Sequence, residues 1–321
     1  MLRRYLLPIG NCSFGITNLF YIMSTYPSFN AFMHRQINNL SEAGKVRTSE
    51  TYQTALNRLE DYLGGEAVSF SKITASLIDG FEKYLSDRGN TRNTTSFYMR
   101  ILRAVYNRGV DRGWTRQRNP FRHVYTGVDK TRKRAVTISV IRRMKNLDLS
   151  GQPELEKARD IFLFSFYTRG MAFIDMAYLR RRDLCAGLLR YVRHKTGQEI
   201  CIRWEPAMQE IVNRYPQNPN GFLLPILTET KADLRKQYKN NILRTNQGLS
   251  RISTLLGLDK PLTTYVARHS WASIAYSHNV PVSLISEGMG HESEHTTRIY
   301  LASVSNAGVD RANRKIMKML M

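Results

Sequence analysis

The sequence predicts a mainly α protein of the α+β kind, built as two domains in which helices carry the cores and one small antiparallel β-sheet interrupts them. Three observations predict it. Apolar residues recur at i, i+3, i+4 and i+7 through most of the chain. One stretch around residue 190 alternates at period two instead. A chain of 321 residues with 42% hydrophobic content fills two domains of ordinary size and can bury a core in each.

The elements follow in order. Residues 1–27 show no clean periodicity, and Pro8, Gly10, Asn11 and Gly15 break their basic and apolar opening, so neither a secretory signal nor a role is assigned to this extension. Residues 28–126 read as a small helical bundle. Thr51 to Leu63 places Tyr52, Ala55, Leu56, Leu59 and Tyr62 on one stripe, and further helices are expected over Ala75 to Leu85 and Thr94 to Arg112. Gly64-Gly65 and Arg88-Gly89-Asn90 separate them. Residues 127–136 have no apolar period and read as a basic linker. Between Arg100 and Arg134 there are eleven Lys and Arg against two Asp and Glu, a pattern that suits either a solvated face or a partner of opposite charge.

The second domain, residues 137–321, opens with helices. Lys157 to Thr168 is too long and too apolar for a typical strand and reads as a buried helix. Leu189 and Tyr191, a polar turn over His194 to Gln198, and then Ile200, Ile202 and Trp204 predict a β-hairpin. Helical patterns resume over Pro206 to Tyr215, Lys231 to Leu256, Tyr265 to His278, Val282 to Met289, Ser293 to Ala302 and Asn306 to Leu320.

Charge narrows the partners. There are 48 Lys and Arg against 26 Asp and Glu, a formal net charge of +22, which points to a polyanion and first of all to nucleic acid. A basic protein bound to membrane surfaces or to RNA would also carry such a charge. No stretch approaches the roughly 18 uninterrupted apolar residues of a membrane span. Cys12, Cys185 and Cys201 are far apart and odd in number, which argues against a disulfide scaffold or a zinc site and for a reducing compartment. With no Gly-rich phosphate loop and no metal-ligand motif, neither a cofactor nor a metal is expected.

Two stretches could carry chemistry: Thr264-Tyr-Val-Ala-Arg-His-Ser-Trp-Ala272, and Gly290-His291 followed by Thr296-Thr-Arg-Ile-Tyr300. Arg268 and His269 sit on a mostly apolar helix, where a guanidinium is costly to bury unless an anion pairs with it. Taken alone, Arg268 fits an internal salt bridge, Lys195 an exposed turn lysine and Tyr300 a core aromatic.

Taken together these pieces resemble the tyrosine site-specific recombinases. That family carries a first Arg, a hairpin Lys, a His-x-x-Arg-His stretch, a Gly-His and a Tyr nine residues beyond it. Here His291 and Tyr300 are nine residues apart, Lys195 lies in the hairpin, and Tyr167-Thr-Arg169 follows a buried helix. Two departures mark this chain. Tyr265 stands where the family has its first His, and Arg169 precedes Asp175 by six residues rather than three, so that alignment on Asp175 puts Ala172 in the Arg position. A subgroup carried by mobile elements and invertible DNA of gut anaerobes looks similar in both respects.

The resemblance implies a SAM-like core-binding domain, then a catalytic domain, and metal- and ATP-independent DNA strand exchange. Arg169 and Arg268 would hold the scissile phosphate, where forked donors suit the charge that builds up in the transition state. Tyr300 would attack and form a 3′-phosphotyrosyl bond; a phenol is only ~0.1% ionised at neutral pH and needs help to do so. Lys195 would protonate the leaving 5′-oxygen, His291 would bond the phosphate or support the transition state, and Tyr265 would donate a hydrogen bond to it. The implied partners are duplex DNA with inverted-repeat sites, three further copies in a tetramer of two dimers, and an accessory DNA-bending protein, on a bacterial nucleoid in the cytoplasm. A fold-sharing DNA-binding protein that no longer cleaves is the competing expectation.

Overall fold

The computed structural model describes residues 26–129, 134–228, 233–301 and 317, with the backbone alone at Ile299 and Tyr300. The chain divides into two compact units, Met1–Thr131 and Arg132–Met321.

Among the described residues the first unit carries four α-helices, α1 (Phe29–Glu42), α2 (Val46–Tyr62), α3 (Ala75–Asp87) and α4 (Arg92–Asp111). Side-chain caps start three of them: Ser28, Thr74 and Thr91 accept from the N–H groups of Ala31, Leu77 and Thr94, which satisfies donors that a helix N-terminus leaves open. Phe29, Phe32, Leu56, Leu59, Phe81 and Tyr106 form the core, so the stripe expected over 51–63 does face inward. Part of the segment expected to be a linker is tied down. Gly127 accepts from Ser96 Oγ at 2.5 Å, and Asp129 N–H donates to Asn93 Oδ1 at 2.7 Å.

The second unit is wound round α6 (Pro153–Tyr167), after the short α5 (Ile138–Lys145). Pro153 sits in the first turn of α6, and Glu154 and Glu156 complement its dipole there. From Ile161 to Phe164 α6 is apolar and buried on every side, as a helix with neighbours all round must be; α9 (Leu234–Leu255) and α10 (Thr264–Ser277) pack against it. A short helix, α7 (Phe173–Tyr178), leads into three antiparallel strands in the order β1 (Leu184–Cys185), β2 (Leu188–Val192), β3 (Glu199–Arg203). Leu189 pairs with Ile202 and Tyr191 with Ile200 on the core side, while Arg190 and Cys201 pair on the exposed side. The hairpin is therefore part of a three-stranded sheet, since a strand as short as β1 shows no alternation to read. After α8 (Pro206–Asn213) and α9, the helices α10, α11 (Val282–Met289) and α12 (Glu294–Leu301) close the unit. The helix expected over Asn306 to Leu320 lies outside the described residues but for Met317. Among the described residues no helix is long and apolar enough to cross a membrane, and no cluster of three metal-ligating side chains occurs.

Candidate active site

Separate segments of the second unit converge on one cavity of about 290 Å³. The β2–β3 turn supplies Arg193 and Lys195, the start of α7 supplies Ala172 and Asp175, α10 supplies Tyr265 and Arg268, and the turn between α11 and α12 supplies His291.

Arg268 is 3% exposed. Its Nη1 donates to the Gly170 carbonyl at 2.7 Å, and its Nη2 donates to the Met289 carbonyl at 2.7 Å and to His291 Nε2 at 3.0 Å. The guanidinium thus ties the turn after α6 to the end of α11, while its buried Nε–H meets no acceptor. Gly170 permits this approach. Its φ is +75°, and a Cβ there would lie 2.7 Å from Arg268 Cα. Burial, with the charge of Arg193 adding to it, brings the Arg268 pKa down to about 10, which still leaves a cation at neutral pH.

His291 is held from both ring nitrogens. Because Nε2 accepts from Arg268, Nδ1 carries the proton and donates to Thr297 Oγ1 at 2.7 Å. Burial first, then the charges of Arg268, Arg193 and Lys195, push its pKa down to about 3. At neutral pH it is an uncharged ring that orients Arg268.

Gly290 ends α11 in the left-handed conformation, φ 63°. The hairpin rests on it so closely that a Cβ would lie 2.6 Å from Ile200 Cδ1 and 3.3 Å from Arg193 Cδ. Arg193, 7% exposed, donates from Nη1 to the Gly290 carbonyl. Asp175, equally hidden, accepts from the His194 backbone N–H at 2.9 Å and pairs with His194 Nδ1 at 3.1 Å. Those two bonds fix the turn from which Lys195, an exposed side chain, reaches the cavity. Tyr265 stands half-exposed at the rim with His269 edge-on beneath it, ring centroids 4.6 Å apart. Burial raises its pKa, so it remains a phenol able to donate.

Of the residues expected to act together, Lys195, Tyr265, Arg268 and His291 do line one cavity. Arg169 does not. It has φ 60°, its side chain runs past Gly288, and its Nη1 lies 3.5 Å from the Cys201 carbonyl on β3. Ala172 lines the cavity instead. Position 300 falls one turn beyond Thr296 and Thr297 in α12, and its side chain lies outside what is described. Sequence reasoning passed over Arg193 and Thr297. The signal for Arg193 was present: it shares the parity of Leu189 and Tyr191, so it continues the inward face of β2.

Three cations, Arg193, Lys195 and Arg268, therefore share one cavity with two carboxylates: buried Asp175, already engaged by His194, and exposed Glu292. Such a set binds an oxyanion.

Residues 28–126 match the family described as the phage integrase SAM-like domain, and residues 190–306 match the phage integrase family. The chain belongs to the tyrosine recombinases of the phage integrase family. The second match takes in every cavity residue from the hairpin onward and begins after Arg169. Among its relatives, the tyrosine recombinase XerC of Thermodesulfovibrio yellowstonii is 23% identical over 80% of this chain and 86% of its own length. XerD of Oceanobacillus iheyensis is 22% identical over 79% and 86%. Solved recombinases share the fold. Lambda integrase, as a tetramer bound to a Holliday junction, superposes with a TM-score of 0.65 at 14% identity, over 89% of this chain and 81% of that one. The Tn1549 transposon integrase in complex with a circular intermediate DNA gives 0.63 at 14% identity, over 89% and 100%.

Proposed function

We propose that this recombinase cleaves and rejoins duplex DNA at specific inverted-repeat sites through a covalent 3′-phosphotyrosyl intermediate, and so integrates, excises or inverts a DNA segment. The observation that carries the reading is the cavity in which Arg193, Lys195 and Arg268 outnumber the carboxylates of Asp175 and Glu292, beside Tyr265 and neutral His291 and one helical turn from position 300. A phosphodiester is the anion such a cavity suits, and the net charge of +22 favours a long polyanion over a small one.

In the proposed step the Tyr300 phenol oxygen forms a bond to phosphorus as the bond from phosphorus to the 5′-oxygen breaks. The phenolic proton passes to water. The 5′-oxygen takes a proton from the Lys195 ammonium, which water then restores, so no net proton is consumed. Arg268 meets the charge that grows on the non-bridging oxygens, Tyr265 donates a further hydrogen bond there, and His291 keeps Arg268 in place. Because one phosphoester replaces another, the reverse reaction rejoins the strand without outside energy. The lambda integrase dimer bound to a core site and the tetramer bound to a Holliday junction, both of the same fold, support assembly of this chain as two dimers on two sites.

The test is covalent trapping. Wild-type protein, incubated in EDTA with a nicked suicide duplex carrying the inverted repeats that flank its gene, is expected to yield a denaturation-resistant DNA adduct, and Tyr300→Phe none. Tight and specific binding of intact duplex with no adduct would favour the silent DNA-binding alternative.

A further inference from the structure

The recombinase reading asks for two guanidinium groups at the phosphate, and Arg169, the expected first one, is turned away from the cavity. We infer that Arg193 supplies the second guanidinium, gripping a non-bridging oxygen of the scissile phosphate from the hairpin side. This inference rests on the recombinase reading above.

Four observations converge on it. First, Arg193 lines the same cavity as Arg268, Lys195 and His291, whereas Arg169 lies along β3 with its Nη1 3.5 Å from a strand carbonyl. Second, the side chain at the position three before Asp175 is only the methyl of Ala172, at the start of α7, and it leaves that wall of the cavity without a cation. Third, Arg193 and Arg268 are 7% and 3% exposed, and among the described residues neither forms an ion pair. The buried carboxylate that acts on Arg268, Asp175, spends its hydrogen bonds on His194, so two buried like charges side by side still gain from an anion that bonds them directly. Fourth, Arg193 is held from both ends. Its backbone N–H donates to Gln198 at 2.9 Å, its carbonyl accepts from Gly197 at 2.8 Å, and its Nη1 spends one donor on Gly290. A guanidinium has five donors in a fixed fork, so an anchored Arg193 retains others for the phosphate.

The geometry also explains how the site tolerates the departure at its first arginine. Lys195 follows Arg193 by two residues, so a single hairpin delivers both the leaving-group acid and the oxyanion clamp. Arg169 is left with a different task. With Gly170 it makes a left-handed turn, φ 60° and 75°, that brings the Gly170 carbonyl under Arg268.

A purely structural Arg193, needed only to hold the Gly290 carbonyl, makes a different prediction, and the substrate can be altered to separate the two. In a methylphosphonate one non-bridging oxygen becomes a methyl group and the phosphate loses its charge, so a guanidinium that acts on that oxygen is no longer required. The experiment measures single-turnover adduct formation by the full chain on a suicide duplex with an ordinary phosphate, and on one with a single methylphosphonate stereoisomer at the scissile position. Arg193→Ala is expected to fall about 100-fold on phosphate and to recover to within about threefold of wild type on one methylphosphonate isomer. Arg193→Lys, which keeps a cation on the hairpin, is expected to show a smaller loss and the same selective recovery. Arg169→Ala should keep the wild-type ratio between the two substrates. Equal losses on both substrates in both Arg193 variants, or selective recovery in Arg169→Ala instead, would overturn the inference. Wild-type protein that makes no Tyr300-dependent adduct would overturn the recombinase reading itself, and is recognised before any Arg193 variant is measured.

Discussion

Asp160 and Arg268 are equally buried charges in the same unit, and their surroundings are opposite. Asp160, 1% exposed, accepts from Arg159 Nε at 3.1 Å, Arg214 Nη1 at 2.7 Å and the Tyr215 hydroxyl at 3.0 Å. Two cations and a phenol satisfy one carboxylate, and the network closes within the chain. Arg268 bonds to two carbonyls and a neutral imidazole, with a second arginine beside it, and the carboxylate that acts on it, Asp175, is bonded to His194 instead. The first arrangement is complete without a ligand; the second is not. The N-terminal unit makes the contrast sharper, because among its described residues the buried polar side chains, Asn30, Ser49, Thr95 and Ser96, are all neutral. A buried charge points to function where the fold bonds no counter-charge to it, and to stability where the fold does.

The largest expected effect tests the functional half of that contrast. Arg268→Met should lower the rate of adduct formation by about 100- to 1,000-fold, the range for removing one preorganised donor from a developing oxyanion. Duplex binding should change far less, since a net charge of +22 leaves many other cations to meet the phosphates; single-turnover cleavage and a binding titration check the pair. Asp160→Ala tests the other half. It strands Arg159, which is nearly buried, and should cost about 3–5 kcal/mol in urea denaturation, with the cleavage rate per folded molecule unchanged. A variant of Asp160 that folded normally but cleaved poorly would erase the distinction between the two charges.

Much of the fold was legible because it rests on local periodicity. The stripe over 51–63, the apolar run inside α6 and the alternation of β2 and β3 are each long enough to repeat their period. What escaped is short or depends on tertiary contact. β1 has two residues, and α7 has six, too few for a helical stripe. At the site, Lys195, Tyr265, Arg268 and His291 were legible as residue types in an ordered set, and they do meet. Arg169 was read from its place after a buried helix, but sequence order does not say which way a side chain leaves a left-handed turn. Arg193 was the readable omission: an arginine in phase with Leu189 and Tyr191 is the same anomaly on a strand that Arg268 is on a helix. Thr297 could not be found in advance, because its role exists only through the 2.7 Å contact with His291.

A more modest effect is expected where the hairpin meets α11. Gly290→Ala forces a side chain into the left-handed region and against Ile200 and Arg193. Backbone strain and overpacking together should cost about 1–3 kcal/mol. Because Arg193 and Lys195 ride on the displaced hairpin, cleavage at saturating DNA should fall by roughly tenfold. If stability fell while cleavage held, the hairpin would not need its seat on Gly290 to position those two cations.

The smallest effect near neutral pH belongs to His291, and it concerns the same imbalance of charge. Its pKa is about 3 in the folded protein, against about 6.5 in an unfolded chain. Between those values the unfolded state binds the proton and the folded state does not, so stability rises with pH across this window. The contribution is complete above about pH 6.5 and is lost as the pH falls toward 3. In the free protein the His291 ring signal in an NMR titration should therefore stay at its neutral position from pH 8 to 5. Burial is the larger cause of the low pKa, and the charges of Arg268, Arg193 and Lys195 add to it; a scissile phosphate seated between Arg193 and Arg268 offsets the second cause, so the same ring should titrate at higher pH when a duplex is bound to Tyr300→Phe. A midpoint that did not move on binding the duplex would mean that the phosphate leaves the arginines' field at His291 unchanged, and the cavity would then belong with Asp160 among the closed networks.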